Sequence, residues 1–278
     1  MISSNNKHKT RIKKFIFWIK IVALIYFLLG IGLYYLQEKF LFHPEALSAE
    51  YVYSFTAPFK EVNISVGKNV NLNMVQFFPK DSVRKGVILY FHGNMKNINH
   101  YAKAADNFTK NGYEVWMPDY PGFGKTTGEL TEKRLYEDAI QVYKLANKIF
   151  SADSIIIYGR SLGSGIASQL ASIKDCRRMI LETPYPSIPD LISAYAPIYP
   201  SSFLSKFELP VKQYLQGVIA PVTIFHGDDD NIIPYRIALK LKKVLKPIDE
   251  FIAIKGGEHN DLFTFKIVID KIDSLLKN

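Results

Sequence analysis

The stretch Ser154-Ile155-Ile156-Ile157-Tyr158-Gly159-Arg160-Ser161-Leu162-Gly163 decides the fold of this chain. Apolar residues make up its first half and a helix-like segment follows it as far as Ile173, so the pattern predicts a strand, a sharp turn and a helix. A G-x-S-x-G motif in this setting is a nucleophile elbow, whose strained turn lifts the hydroxyl of Ser161 clear of the sheet. Glycines flank the serine because a Cβ at those positions would collide with the neighbouring helix or strand.

Short apolar runs of the same kind recur on both sides of the elbow, at 86–91, 113–117, 178–181, 221–225 and 251–254. Helix-like segments separate most of them, at about 97–111, 131–149, 164–174, 235–246 and 261–276. Buried strands that alternate with helices predict an α/β fold, with a mostly parallel sheet and helices on both faces. Before these runs, residues 62–66 and 70–78 alternate apolar and polar side chains, which predicts an antiparallel hairpin turning at Gly67-Lys68.

Residues 183–218 do not follow this alternation. The segment is rich in aromatic residues and is interrupted by Pro184, Pro186, Pro189, Pro197, Pro200 and Pro210. It is too long for a simple connection between two elements of a compact domain. We therefore expect a small cap at about 183–218, lying over the ends of the strands.

The amino-terminal end is basic and then apolar. Positions 1–20 contain no Asp or Glu and carry Lys7, Lys9, Arg11, Lys13, Lys14 and Lys20. Residues 15–36 are almost wholly apolar, and about 20 apolar residues span a bilayer as a helix. Because the run is apolar on all faces, it differs from an amphipathic surface helix. The pattern predicts a basic cytoplasmic tail at 1–14, a transmembrane signal anchor at 15–36 and a folded domain at 37–278.

The basic flank also predicts an orientation. By the positive-inside rule, the amino terminus of this single-pass membrane protein stays in the cytoplasm, and the folded domain lies on the outer, periplasmic or extracytoplasmic side. A cleaved signal peptide is one alternative, although the run is long and no A-x-A-like cleavage site follows it. An amphipathic or buried helix of a soluble protein is the other alternative.

The charge, the cysteine count and the missing motifs exclude several kinds of ligand and cross-link. The net charge of +9 is concentrated in the tail, so a nucleic-acid surface is not needed to explain it, and we predict no nucleic-acid partner. The single cysteine, Cys176, excludes an intramolecular disulfide. The segment 122–126 resembles a phosphate loop, but Asp119 stands where that loop requires glycine. Since the sequence also has no Cys/His cluster, we predict no metal and no cofactor.

Polar motifs fall where strands end, which is where open parallel sheets bind their ligands. Besides Ser161 they are the run Asp228-Asp229-Asp230 and the loop that contains His259. A serine becomes a nucleophile when a base removes its proton, and a carboxylate that accepts the Nδ1 proton of a histidine fixes that base's tautomer. The chain order serine, aspartate, histidine is that of an elbow-type triad. From the residues alone the three aspartates compete, and the run also fits a cap for a helix starting near Pro234.

His259 and two backbone groups complete the candidate site. Among the six histidines, His259 alone lies in a glycine-flanked loop downstream of both Ser161 and the aspartates. The segment 91–94, Phe-His-Gly-Asn, follows the first strong parallel strand, where a loop supplies backbone N–H groups to an oxyanion. We assign the oxyanion hole to Asn94 and to Leu162, the residue after the nucleophile.

Several segments together resemble the membrane-anchored α/β-hydrolase domain proteins, related to the serine-aminopeptidase-like group: 86–94, 113–128, 154–165, 178–186, 221–234 and 251–262. The resemblance covers about residues 37–278. It implies an α/β-hydrolase fold in which Asp230, among the three aspartates, completes a triad with Ser161 and His259. One departure is Pro121, where many relatives carry arginine in an Asp-Tyr-Arg-Gly turn.

The resemblance implies a serine hydrolase that forms an acyl-enzyme on Ser161, with esters or thioesters favoured over amides. The anchor and the aromatic cap add the expectation of a small-molecule or lipid-like acyl substrate. An aminopeptidase-like peptidase is the enzymatic alternative, in which Glu182 would bind the free amine of the substrate, although Glu182 also fits a structural role. A membrane-tethered binding protein without activity is the alternative from another class.

Overall fold

The computed structural model describes residues 2–80 and 84–277, with the side chains of 11–80, 84–202 and 204–277. Met1, the first residue of the predicted tail, lies outside the described residues. The chain starts with one long helix, α1 (Ile2–Leu41), which contains both the predicted tail from Ile2 onward and the predicted anchor. Among the described residues, α1 is the one helix long and apolar enough to cross a membrane.

A mostly parallel sheet follows. The strands in chain order are β1 (His43–Pro44), β2 (Phe59–Gly67), β3 (Val70–Phe77), β4 (Gly86–Phe91), β5 (Met95–Lys96), β6 (Tyr113–Pro118), β7 (Ile155–Arg160), β8 (Arg178–Glu182), β9 (Val222–Gly227) and β10 (Glu250–Ile254). Eight of them form a sheet in the order β10-β9-β8-β7-β4-β6-β3-β2, and β1 pairs with β5 beside it. The predicted hairpin, β2–β3, is antiparallel, as is the pairing of β3 with β6, whereas the remaining pairs of the large sheet are parallel. Both predictions are confirmed.

Helices occupy the connections. In chain order they are α2 (Ile98–Tyr101), α3 (Asp106–Thr109), α4 (Glu132–Ala146), α5 (Gly163–Ile173), α6 (Ile188–Tyr195), α7 (Ser201–Leu204), α8 (Val211–Leu215), α9 (Tyr235–Ala238) and α10 (Lys266–Lys277). Three predicted helices differ in detail: 3₁₀ turns separate α2 from α3, extend α9 and precede α10. Ile98, Tyr101, Ala105 and Phe108 of the predicted segment 97–111 are all buried.

The strand side chains divide between two apolar layers. Val87 and Leu89 of β4 face the layer that contains the buried side chains of α4 and α5, whereas Ile88 and Tyr90 face the layer with α3 and α10. Because both faces of the central strands are covered, every residue of β4 and β6 is buried. This two-sided burial explains why these strands are continuous apolar runs rather than alternating ones.

The segment predicted as a cap, 183–218, connects β8 to β9 and contains α6, α7 and α8. Ser187 begins α6 as its N-cap, since its side chain accepts a hydrogen bond from the backbone N–H of Asp190. Of the three helices, α8 packs on α5 in the domain, whereas α7 contacts α1. The cap segment therefore lies between α5 and the long amino-terminal helix.

Candidate active site

Ser161 stands at the turn between β7 and α5. Its φ of +48° is a conformation that residues other than glycine rarely adopt. The two motif glycines permit the turn, because a Cβ on Gly159 would lie 2.6 Å from Cβ of Ala167, and one on Gly163 would overlap the carbonyl oxygen of Phe91. The backbone N–H of Ser161 donates to the carbonyl oxygen of Glu182 at 2.9 Å. The turn thus holds the serine side chain in one place above the strand ends.

His259 joins Ser161 to Asp230. Its Nε2 lies 3.0 Å from Ser161 Oγ, and its Nδ1 lies 2.8 Å from Asp230 Oδ2. Because an ionised carboxylate only accepts hydrogen bonds, Nδ1 carries the proton and Nε2 is left to accept the hydroxyl proton of the serine. The structure therefore brings together the three side chains that the sequence predicted as a triad, although β7, β9 and β10 lead to them from separate parts of the chain.

Asp230 is buried and held ionised. Burial alone would raise the pKa of its carboxyl, but the hydrogen bond and charge of His259 and the backbone N–H of Ile233 outweigh burial, so the pKa is lowered. Its other oxygen, Oδ1, accepts hydrogen bonds from the backbone N–H groups of Ile232 and Ile233 at 2.8 and 2.7 Å. Burial lowers the pKa of the adjacent His226, which keeps that imidazole neutral beside the pair.

The competition among the three aspartates is decided by geometry. Asp228 turns away from the histidine ring, and its Oδ1 accepts a hydrogen bond from the backbone N–H of Gly256 at 2.6 Å. Asp229 is exposed, and its backbone N–H donates to the carbonyl oxygen of Gly257. Both residues therefore contact the loop that carries His259, whereas Asp230 contacts His259 itself.

The predicted oxyanion donors flank Ser161. Asn94 and Leu162 both line the cavity beside it. Within the described part of the chain, neither backbone N–H donates a hydrogen bond to another backbone group. His92, two residues before Asn94, is buried and fixes this loop in the domain. Its Nε2 lies 3.2 Å from Asp119 Oδ1, and its ring stacks on that of Tyr101. The backbone N–H groups of two residues that line the cavity are thus without a backbone acceptor among the described residues.

Glu182, the alternative amine-binding residue, is engaged elsewhere. Its carboxylate is buried, accepts a hydrogen bond of 2.6 Å from the Tyr158 hydroxyl and pairs with Arg160 Nε at 3.4 Å. Arg160 in turn donates to the side chain of Asn260, next to His259. The negative charge of Glu182 raises the pKa of the Arg160 guanidinium further above its usual range. This network braces the elbow against the histidine loop.

A cavity of about 500 Å³ opens beside Ser161. Its walls come from the cap, from the turn after β9 and from α1, the last through Leu33, Gln37, Phe40 and Leu41. Within the described part of the chain, none of the residues that line it carries a charge. The sequence analysis did not predict the contribution of α1, because an all-round apolar helix shows no face that distinguishes a cavity wall from a lipid-facing surface.

Within the described ranges, 2–80 and 84–277, no group of three or more His, Cys, Asp or Glu side chains is arranged to hold a metal ion.

The domain is similar in fold to a solved structure, the esterase Pf2001 of Pyrococcus furiosus. The two are 18% identical with a TM-score of 0.66, and the match covers 85% of this chain and 97% of that one. The family described as serine aminopeptidase, S33, matches residues 82–214. This chain has the α/β-hydrolase fold.

Curated relatives include a lipase. The chain is 27% identical over 186 residues to lysophosphatidylserine lipase ABHD12 of Mus musculus, which covers 59% of this chain and 46% of that protein. It is 28% identical over 223 residues to protein bem46 of Schizosaccharomyces pombe, covering 74% of each. The chain spans about half the length of the ABHD12 relatives that it matches. At the level of the family, these similarities are to serine hydrolases that include esterases and lipases.

Proposed function

We propose that this hydrolase cleaves the ester or thioester bond of a lipid-like acyl substrate through an acyl-enzyme on Ser161. The observation that carries the proposal is the pair of hydrogen bonds by which His259 links Ser161 to Asp230, at 3.0 and 2.8 Å, beside an uncharged cavity. This arrangement provides a nucleophile, a base in contact with it and a carboxylate that orients the base.

The residues act in two steps. His259 Nε2 takes the proton of Ser161 while Oγ attacks the acyl carbonyl, and Asp230 stabilises the resulting imidazolium. The imidazolium then gives its proton to the leaving alcohol or thiol, which departs and leaves the acyl group on Ser161. In the second step His259 removes a proton from water, and the hydroxide attacks the acyl-enzyme. The carboxylic acid leaves and Ser161 regains its proton.

The oxyanion of each tetrahedral intermediate needs hydrogen-bond donors. We assign this role to the backbone N–H groups of Leu162 and Asn94, which have no backbone acceptor among the described residues. Donors of this kind stabilise charge that develops in the transition state, and the loss of one costs about a hundred- to a thousand-fold in rate.

The cavity favours an apolar acyl group. Leucine, isoleucine and aromatic side chains dominate its lining, and the polar groups in it are hydroxyls and amides. Such a lining gains free energy from burying methylene groups and offers no partner to a charged group. The name of one relative, a lysophosphatidylserine lipase, and that of the structurally similar esterase support an ester of a lipid-like acid.

An aminopeptidase activity is the second candidate, because the matching family is described as a serine aminopeptidase. A peptidase of that kind needs an acidic side chain near the free amine of its substrate. Glu182 does not line the cavity and is already paired with Arg160, which argues against this role. A binding protein without activity is the third candidate, and the intact contact of Ser161 with His259 argues against it.

We further propose that α1 anchors the hydrolase in a membrane, with the amino terminus in the cytoplasm and the folded domain on the outer side. The proposal is supported by the length and apolar character of Arg11–Leu41 and by the basic residues before it. A cleaved signal peptide and a helix buried in a soluble assembly are the alternatives, and accessibility of engineered cysteines distinguishes them.

Hydrolysis of nitrophenyl esters of graded chain length by the full-length protein in detergent tests the proposed activity. Ser161→Ala should lower kcat by about 10⁴-fold or more, since it removes the nucleophile. The matched control is Ser168→Ala on α5, the helix that follows Ser161. Ser168 is buried, and its hydroxyl has no hydrogen-bond partner in the described part of the chain, so its removal should leave activity within about twofold.

Three outcomes would contradict the proposal. Equal activity in Ser161→Ala and in the unaltered protein would exclude the serine mechanism. Turnover of aminoacyl arylamides, but not of esters of any length, with the same dependence on Ser161, would establish the peptidase instead. Absence of both activities would favour the binding protein.

A further inference from the structure

The cap lies along the apolar part of α1. The rings of Tyr26 and Tyr199 stack with centroids 4.6 Å apart, Tyr26 donates its hydroxyl proton to the carbonyl of Ile198 at 3.0 Å, and Tyr199 donates to the carbonyl of Tyr26 at 3.1 Å. Gly30 lies directly below the Tyr199 ring, where an added Cβ would come within 3.2 Å of a ring carbon. The contact between cap and helix is therefore closely fitted.

Gln37 fixes the position of the cap on the helix. This residue is buried, and both ends of its amide bind the cap backbone: Nε2 donates to the carbonyl of Leu204 at 2.9 Å, and Oε1 accepts from the N–H of Lys206 at 2.7 Å. A buried amide is costly unless its groups are paired. A shift of the cap along α1 would break both bonds, so Gln37 specifies one register.

Charged and aromatic side chains lie next to the contact between Gln37 and the cap. Lys206 Nζ pairs with Glu38 at 2.9 Å and lies 5.4 Å from the ring of Tyr34. Aromatic and basic residues of this kind are typical of a membrane interface. Tyr26 lies about 12 Å further along the helix, at about 1.5 Å per residue. Since a hydrocarbon leaflet is about 15 Å thick, the cap residue Ile198, which is 71% exposed, would lie within the leaflet.

The same helix reaches the reaction centre. Leu33, Gln37 and Phe40 line the cavity that contains Ser161. The end of α1 also holds the oxyanion loop, because Asn94 Nδ2 donates to the carbonyl of Leu41 at 2.9 Å. A second apolar groove of about 280 Å³ lies between α1 and the cap, and Leu204 lines both this groove and the cavity.

From these contacts we propose that α1 is a substrate-binding element as well as an anchor. The acyl chain of a bilayer-resident ester enters the cavity sideways from the outer leaflet, between α1 and the cap, and Leu33 forms part of the wall along which it lies. This inference rests on the proposed ester hydrolysis. It adds that the substrate remains embedded in lipid while its ester bond reaches Ser161.

The selectivity of the enzyme for acyl-chain length tests whether Leu33 of α1 contacts the acyl chain. The measured quantity is the ratio of kcat/KM for decanoyl and acetyl nitrophenyl esters, with the full-length protein in phosphatidylcholine vesicles. Leu33→Trp fills the cavity and should lower this ratio by about tenfold or more, as expected when space for a few methylene groups is lost. The matched control is Leu28→Trp, five residues earlier on the far side of α1, where Leu28 is 58% exposed; its ratio should stay within about twofold.

A Leu33→Trp ratio equal to that of the unaltered protein would overturn the proposal, as would an equal fall in Leu28→Trp. If Leu33→Trp is inactive on both esters, Leu33→Ala decides: by enlarging the cavity it should move the optimum to longer chains, and an unchanged optimum overturns the proposal. Failure of the underlying serine mechanism is recognised separately, because activity would then persist in Ser161→Ala.

Fluorescence quenching tests the lipid-embedded cap. In a Trp18→Phe background, tryptophan is introduced at Ile198 in the cap or at Ile149, which is 65% exposed on the remote end of the domain. Vesicles of phosphatidylcholine brominated along the acyl chain should quench Ile198→Trp and leave Ile149→Trp at the level of the background. Equal quenching of the two variants would overturn entry from the leaflet.

Discussion

Asp230 shows how one side chain can serve both the chemistry and the local backbone. One oxygen binds His259, and the other accepts two backbone N–H groups in the turn before α9. Its lowered pKa means that the carboxylate stays ionised well below neutral pH, where it can hold the Nδ1 proton of the histidine. The sequence analysis left open that the aspartate run caps a helix starting near Pro234. In the structure Pro234 itself is the N-cap of α9 and receives no side-chain hydrogen bond, so that expectation is wrong, and Asp230 instead binds the N–H groups of Ile232 and Ile233 in the preceding turn.

Replacement of the two rival aspartates by asparagine separates their roles. Asp230→Asn should lower kcat by about 10³- to 10⁴-fold, because an amide cannot fix the required tautomer of His259. Asp228→Asn keeps an oxygen for the N–H of Gly256 and should stay within several-fold of the unaltered enzyme. Steady-state kinetics with a nitrophenyl ester measures both, and the assignment is wrong if the larger loss occurs in Asp228→Asn.

At the elbow, the close packing of the neighbouring elements requires glycine on both sides of Ser161. β7 and α5 approach so closely that there is room only for hydrogen at Gly159, and the start of α5 lies equally close to the end of β4 at Gly163. The apolar pattern predicted these two elements, and likewise a helical segment at about 97–111, because apolar spacing reflects the periodicity of an element that packs on a core. It did not predict the 3₁₀ turns, since those depend on how each short helix fits between its neighbours rather than on its apolar spacing.

Replacement by alanine should destabilise the protein at a tightly packed glycine and have little effect at a glycine with space around it. Gly163→Ala should lower the free energy of unfolding by about 1–3 kcal/mol or more, because its Cβ would meet the backbone carbonyl of Phe91, which cannot move without disturbing β4. Gly67→Ala, in the β2–β3 hairpin, meets only an ordinary contact of 3.6 Å with Val70 and should unfold at nearly the unaltered temperature. Thermal unfolding in detergent measures both, and equal melting temperatures would contradict the elbow argument.

The whole molecule connects an apolar helix to a domain of α/β-hydrolase fold through the cap. α1 contacts the cap between Tyr26 and Glu38, and its last residue, Leu41, binds the side chain of Asn94. If α1 spans a membrane, these contacts hold the cavity near the bilayer surface. The side on which the domain lies then determines which leaflet provides the substrate.

Cysteine labelling with a membrane-impermeant maleimide tests that orientation. In a Cys176→Ser background, the domain variant Ile149→Cys should react in intact spheroplasts, because the positive-inside rule places this exposed position outside. Lys13→Cys, before the apolar run, should react only after lysis. The reverse pattern would place the domain in the cytoplasm, and labelling of a shortened, released protein would indicate a cleaved signal peptide.

The sequence by itself determined the α/β architecture, the elbow, the candidate base His259 and the long apolar helix. These features depend on local regularities, namely apolar spacing, glycine flanking a serine and the order of motifs along the chain. The residues alone left three aspartates as alternatives, and the family resemblance selected Asp230. Only the tertiary structure decided that His259 contacts Asp230, that Glu182 is paired with Arg160, and that α1 lines the cavity. Those outcomes arise from contacts between residues far apart in the chain. Their distances and directions are set by how the sheet, cap and helix pack, which no local pattern records.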